Sequence, residues 1–183
     1  HCVSCASGTD ALILALKALD CTQGDEIALV ANAGFYGSTS VHTLRATPVY
    51  VDVDDESLCM CPAALEAVLK NHSIKAVIVT HLYGQLADIT TIAALCRTYG
   101  VKLVEDCAQA CGAADSNGSM AGSYGDISCF SFYPTKNLGA YGDGGALCCN
   151  SPEIAANVRA IKQYGWRSKY QVDVPLGMNS RLD

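Results

Sequence analysis

Apolar positions along this chain follow two alternating rhythms. Runs of four to six residues rich in Val, Ile and Leu, apolar on both faces, predict strands at Glu26–Ala31, Val49–Asp52, Ala76–Thr80, Lys102–Glu105, Ile127–Phe132 and Gly145–Cys149. Between them, apolar residues recurring every three to four positions predict helices at Thr9–Leu19, Pro62–Asn71, Ile89–Tyr99 and Pro152–Tyr164. Strands without a polar face need cover on both sides. The pattern therefore predicts an α/β fold, a mostly parallel sheet flanked by helices, with ligands gathering at the carboxyl ends of the strands. No repeat or linker interrupts it, so residues 1–183 are read as one domain.

Composition narrows the field. With 183 residues, half of them apolar, the chain can bury a sizeable core. The formal charge is −6 and the 12 Lys and Arg are scattered, so the basic stripe of a nucleic-acid or anionic-membrane binder is absent. No apolar run reaches the roughly 18 residues of a membrane span, which makes the cytoplasm the expected location. Eleven cysteines in 183 residues, about 6%, fall below the roughly 8–10% of disulfide scaffolds, and most lie in apolar runs as small hydrophobes. CVSC, from Cys2 to Cys5, has the spacing of half a zinc site without a second half, so no metal is expected.

Several stretches at the predicted ligand edge carry candidate chemistry. SGTDAL offers Ser7 as a helix cap, and the first-turn N–H groups of Gly8, Thr9 and Asp10, with the Thr9 hydroxyl, as an anion site. The Asp10 carboxylate must then point away. Asp106 follows the strand KLVE; with Gln109 it reads either as a capping box opening a helix or as a carboxylate holding a cation. Phe35 and Tyr83 follow two other strands and read either as core or as a flat wall for a ring. GAYGDGGA leads into a strand and opens no helix, so it is not a dinucleotide fingerprint.

Lys136 stands alone in FSFYPTKNLGAYGDGG, five residues after Ser131 and followed by Gly139, Gly142, Gly144 and Gly145. A partly desolvated amine is a nucleophile toward carbonyls. A phosphate anchor, a flat wall, a carboxylate for a ring nitrogen and an amine for an aldehyde together match pyridoxal 5′-phosphate.

SGTDAL, GFYGST, PVYVDVD, HLYGQLADI, EDCAQACGA, GDISCFSFYPTKNLGAYGDGGA and GMNSRLD, in this order, resemble the DegT/DnrJ/StrS family of sugar-nucleotide aminotransferases, of the type I aminotransferase fold. The resemblance implies that Lys136 holds the cofactor aldehyde as an imine and that Asp106 bonds the pyridine nitrogen. It also implies Gln109 beside the ring, Phe35 stacked on it, and Gly8, Thr9 and Ser131 at the phosphate. Asn179 is implied to reach the phosphate of a partner subunit, hence a homodimer with shared sites. A chain starting at His1 and stopping after GMNSRLD reads as a piece of a longer protein. Such relatives carry an additional N-terminal segment and a smaller C-terminal domain that completes the substrate cleft, so this piece alone is expected to be inactive.

The implied reaction is transamination, with L-glutamate as amino donor and a nucleotide-linked keto sugar as acceptor. A sister branch of dehydratases carries histidine in place of the lysine, so Lys136 favours transamination. Members acting at C4 tend to carry SFHxxK, TGEGG and an NYRM-like segment, whereas SFYPTK, YGDGG and NSRLD resemble the 3-aminotransferase branch. A dTDP-3-keto-6-deoxyhexose is the first expectation and a UDP-3-keto-uronic acid the second, with Arg181 the only motif arginine for a sugar carboxylate. Another type I pyridoxal-phosphate reaction, or a cofactor-binding regulator, are the competing readings.

Overall fold

The computed structural model describes residues 1–182. Its elements, in chain order, are β1 (Cys2–Cys5), α1 (Gly8–Ala18), β2 (Glu26–Val30), α2 (Tyr36–Thr43), β3 (Thr47–Val51), α3 (Pro62–Asn71), β4 (Ile74–Thr80), α4 (Ile89–Tyr99), β5 (Lys102–Asp106), β6 (Ile127–Ser131), β7 (Gly145–Cys148), α5 (Pro152–Ile161), β8 (Trp166–Ser168) and β9 (Gln171–Val172). Seven strands form one sheet in the order β1-β7-β6-β5-β4-β2-β3, and β8 and β9 form a separate small hairpin. Pairings from β3 through β6 are parallel, while β7 runs antiparallel to both β6 and β1. The carboxyl ends of β1, β4, β5 and β6 and the amino end of β7 therefore meet at one edge.

Strand alternation divides the core in two. Ile27 and Leu29 of β2 and Ala76 and Ile78 of β4 pack with α1 and α5 on one face. Ala28, Val30, Val77 and Val79 pack with α3 and α4 on the other. Each helix start has a local cause: Ser7, Asp88 and Ser151 accept the N–H of Asp10, Thr91 and Ile154, and Pro62 and Pro152 occupy the first helical turn. Gly100 ends α4 in the left-handed conformation, φ 68°. Among the described residues no helix is long and apolar enough to cross a membrane.

Three elements differ from the sequence expectation. No helix opens at Asp106: the residue ends β5, and its carboxylate accepts the N–H of Ala108 two residues on, an Asx turn in place of a capping box. YGSTSVHT forms α2 despite its polar composition, with Ser38, Ser40 and Val41 buried against the sheet. CVSC forms the edge strand β1, in which residues three apart leave by opposite faces. Cys2 is accordingly exposed and Cys5 buried, and the two cannot ligate one ion.

Candidate functional site

Parallel register brings the chemistry together. Thr80 ends β4 directly opposite Asp106 at the end of β5, and Asp106 lies opposite Cys129 near the end of β6. Above this edge lies a cavity of about 290 Å³ lined by Ser7, Gly8, Thr9, Asp106, Ser131 and Lys136, together with Leu12, Tyr36, Ala108, Tyr133, Thr135 and Asp143.

Two close backbone approaches build it. A Cβ on Gly8 would lie 2.6 Å from the Cβ of Ser131, so only glycine lets the start of α1 meet the end of β6. A Cβ on Gly145 would lie 2.5 Å from the Ser7 carbonyl oxygen, which fixes β7 against the same turn. Ser7 Oγ accepts the Asp10 N–H at 3.1 Å and the Ser7 carbonyl accepts the Ala11 N–H at 3.0 Å. Asp10 N–H is thus consumed by the cap. Among the described residues the N–H groups of Gly8 and Thr9 have no protein acceptor and remain available at the cavity.

The carboxylate of Asp10 is turned away from the anion site, as that reading requires. Ser180 donates its hydroxyl to Asp10 Oδ2 at 2.6 Å and itself accepts the N–H of Ala6 at 3.1 Å, and Asp10 does not line the cavity. The first turn of α1 therefore presents its positive end to the cavity without its own Asp10 carboxylate in front.

Asp106 is the buried charge of the site, 6% exposed. Thr80 Oγ1 donates to Oδ2 at 3.3 Å and Ala108 N–H donates to Oδ1 at 3.1 Å. Burial raises its pKa above the ordinary carboxylate value, and the Ala108 N–H, the Thr80 hydroxyl and the Lys136 charge offset this only in part. An under-compensated buried carboxylate facing a cavity suits a cationic group there. Lys136 sits half-buried across the cavity, its backbone N–H donating to the Tyr133 carbonyl at 2.8 Å in a tight turn after β6.

The remaining predicted residues lie at the periphery. Gln109 lines a neighbouring recess with Tyr83, Thr135, Lys136 and Asn137, and its Oε1 accepts the Tyr83 N–H at 2.8 Å. Tyr83 takes a left-handed backbone, φ 58°. Phe35 is 82% exposed and outside the cavity lining, where its neighbour Tyr36 stands instead. Asn179 is exposed, outside the cavity of its own chain, in a bridge with Gln163 beside the buried Ser180. Arg181 packs its guanidinium 5.8 Å from the centre of the Tyr164 ring. Sequence reasoning missed Thr80, Tyr36, Tyr133 and Asp143; for Thr80 the signal was its place as the last residue of the strand beside β5.

Behind Asp106 lies a second buried carboxylate. Glu105, fully buried, accepts the N–H groups of Gly122, Tyr124 and Gly125 at 2.9, 2.7 and 2.6 Å and pairs with His81 Nε2 at 3.1 Å. Burial raises the Glu105 carboxyl, but these donors outweigh it and hold its pKa below the ordinary value. His81 Nδ1 accepts the Ala87 N–H at 3.2 Å, so its proton sits on Nε2 and points at Glu105. The ligand atoms of His81, Glu105 and Cys107 lie within 4.8 Å of one another. Both nitrogens of His81 are committed, and Glu105, paired with His81, serves as a hydrogen-bonded support for the 122–125 turn.

The residues present fit pyridoxal 5′-phosphate. Free N–H groups at a helix start suit its phosphate, the buried Asp106 its protonated ring nitrogen, and Lys136 its aldehyde. The glycine contacts close the cradle to a side chain and leave it open to a phosphate.

Comparison with known proteins identifies the family. The model of the DegT/DnrJ/EryC1/StrS aminotransferase family matches residues 1–183. The chain is 48% identical over its whole length to a UDP-N-acetyl-3-dehydro-alpha-D-glucosamine 3-aminotransferase of Acidithiobacillus ferrooxidans, covering 49% of that protein. It is 44% identical to a dTDP-3-amino-3,4,6-trideoxy-alpha-D-glucose transaminase of Micromonospora megalomicea subsp. nigra, again over the whole chain and 48% of the relative. It superposes in full on 48% of the crystal structure of DesV of S. venezuelae in complex with a ketimine intermediate, with a TM-score of 0.92 at 38% identity. The chain spans about half the length of the curated relatives it matches. Whole-chain agreement in family model, sequence and three-dimensional structure places it: the chain belongs to the DegT/DnrJ/EryC1/StrS aminotransferase family.

Proposed function

We propose that the protein containing this chain is a pyridoxal-phosphate-dependent aminotransferase that aminates C3 of a nucleotide-linked keto sugar, with L-glutamate as donor. The chain supplies the cofactor-binding large domain. The observation that carries this reading is one cavity in which Lys136, the buried Asp106 and the free N–H groups of Gly8 and Thr9 converge.

When bound, pyridoxal phosphate supplies an aldehyde that condenses with amines and a ring that takes up the electron pair left when a proton leaves the adjacent carbon. The chain's own residues do the rest. Gly8 and Thr9 N–H groups, with the hydroxyls of Thr9 and Ser131, hold the phosphate at the positive end of α1. Asp106, oriented by Thr80 and Ala108, keeps the ring nitrogen protonated. Lys136 Nζ moves a proton from the donor's α-carbon in the first half-reaction and returns one to the sugar's C3 in the second. Gln109, fixed by the Tyr83 N–H, stands beside Lys136 at the ring's edge. Phe35, exposed beside the cavity, would stack on the ring, and Asn179 would reach the phosphate of a partner subunit in a homodimer.

A dTDP-3-keto-6-deoxyhexose is the acceptor proposed first, in keeping with the NSRLD and SFYPTK segments. A UDP-linked 3-keto sugar is the second reading, favoured by the 48% identity to a relative named for such a substrate. The test uses the full-length protein. Borohydride should fix the cofactor covalently on Lys136, glutamate should convert its absorbance, and a 3-keto sugar nucleotide should restore it. An adduct on another lysine, or amination only at C4 by NMR, would overturn the site or the position respectively.

A further inference from the structure

Cys2 and Cys148 stand opposite one another in the antiparallel pair of β1 and β7. His1 and Cys149, the neighbouring pair, exchange both backbone hydrogen bonds: Cys149 N–H donates to His1 O at 3.0 Å and the His1 amine donates to Cys149 O at 2.8 Å. Bonded and non-bonded pairs alternate along an antiparallel ladder. Cys2 and Cys148 are therefore a non-hydrogen-bonded pair, the kind whose Cα atoms approach to about 4.5 Å with side chains on the same face. That separation lies within the range a disulfide spans.

Both residues are free thiols, Cys2 exposed and Cys148 half-buried. Burial pushes the Cys148 thiol up to about 11, and the neighbouring Cys2 thiol adds to the shift. The adjacent Cys149 is no competitor for the bond. It lies on the opposite face, packed against the core around α1 and α5, and donates its thiol to the Ser151 carbonyl at 3.4 Å.

We propose that Cys2 and Cys148 form an oxidative modification site that closes to a cross-strand disulfide in the presence of a low-molecular-weight disulfide oxidant. The exposed Cys2 thiolate attacks one sulfur of the oxidant and expels a thiolate, leaving a mixed disulfide. Cys148, once deprotonated, attacks the Cys2 sulfur and expels the second thiolate. Two protein thiols are oxidised, the oxidant is reduced to two small thiolates, and the protons lost by Cys2 and Cys148 pass through solvent to those thiolates. The second step waits on a thiol that resists deprotonation, so closure accelerates as the pH rises. The bond pins the edge strand that runs directly into the Ser7–Thr9 turn.

The test is to incubate the full-length protein with oxidised glutathione at neutral and alkaline pH and map peptides without reduction. The expected result is a Cys2–Cys148 cross-link, faster at alkaline pH, with loss of alkylation at both thiols that dithiothreitol restores. Cys2→Ser and Cys148→Ser should abolish it and Cys149→Ser should leave it intact. A persistent glutathione adduct on Cys2 with Cys148 still open to alkylation, a Cys148–Cys149 bridge, or no reaction at either thiol would overturn the proposal.

Discussion

The hydroxyl of Thr80 donates to Oδ2 of Asp106 across one parallel strand pair, at 3.3 Å, from the position directly opposite in register. This bond favours the charged carboxylate that burial disfavours. Thr80→Val removes it at nearly constant volume. Turnover should fall by about tenfold, ~1.4 kcal/mol, and the pH at which the bound cofactor's absorbance titrates should shift. An unchanged titration with normal turnover would remove Thr80 from the site.

Asp106 itself should show opposite effects on function and stability. Its folded-state pKa is raised, so the folded chain binds more protons than the unfolded one and stability falls as pH rises from the ordinary carboxylate value through the folded value. Asp106→Asn relieves this. The cofactor-free variant should melt above wild type at neutral pH and the difference should close in acid, while turnover drops by more than about tenfold. Calorimetry of the two proteins across that range reads the sign directly.

Glu105 behaves in the contrary sense. Its folded pKa is depressed, so its contribution is present above the ordinary carboxylate value and lost as pH falls through the folded value. Glu105→Gln would turn an amide nitrogen toward either the Gly122 N–H and His81 Nε2 or the N–H groups of Tyr124 and Gly125. A loss of about 3 kcal/mol at neutral pH is expected from breaking a buried charged network. Urea unfolding should show that loss shrinking in acid.

Gly8→Ala tests the cradle. Its Cβ would fall 2.6 Å from that of Ser131 and force the α1 start away from β6. Equilibrium dialysis should find cofactor affinity lowered by at least about tenfold, ~1.4 kcal/mol. Helix propensity favours the substitution, so the fold should persist.

Much of this architecture was legible because buried parallel strands and capped amphipathic helices leave strong periodic signals. α3 and α4 fall at the expected residues, Pro62–Asn71 and Ile89–Tyr99. α2 was not legible because its glycine and hydroxyl residues carry no apolar stripe; the sheet, rather than local preference, makes it a helix. β1 was hidden by its brevity and by cysteines that resembled ligands. At the site, Lys136, Asp106, Gly8, Thr9 and Ser131 converge on one cavity, since Asp106, Ser131 and Gly8 end or begin elements at the same sheet edge and Thr9 and Lys136 follow directly in the first turn of α1 and the turn after β6. Phe35 and Asn179 lie outside it, and what each would touch belongs to a ligand or a second subunit that one chain's sequence does not contain.

The contacts of Ser180 carry a consequence for how the molecule comes into being. Its hydroxyl joins Ala6 and Asp10, partners 174 and 170 residues away in sequence, and among the described residues β1 pairs only with β7. During synthesis the turn from Ser7 to Thr9 emerges well before Ser131, Gly145 and Ser180, the residues that hold it in place. Loop closure over such distances is slow. The proposed phosphate cradle is thus among the last parts of this sheet to set, and cofactor capture would report on the closed sheet rather than seed it.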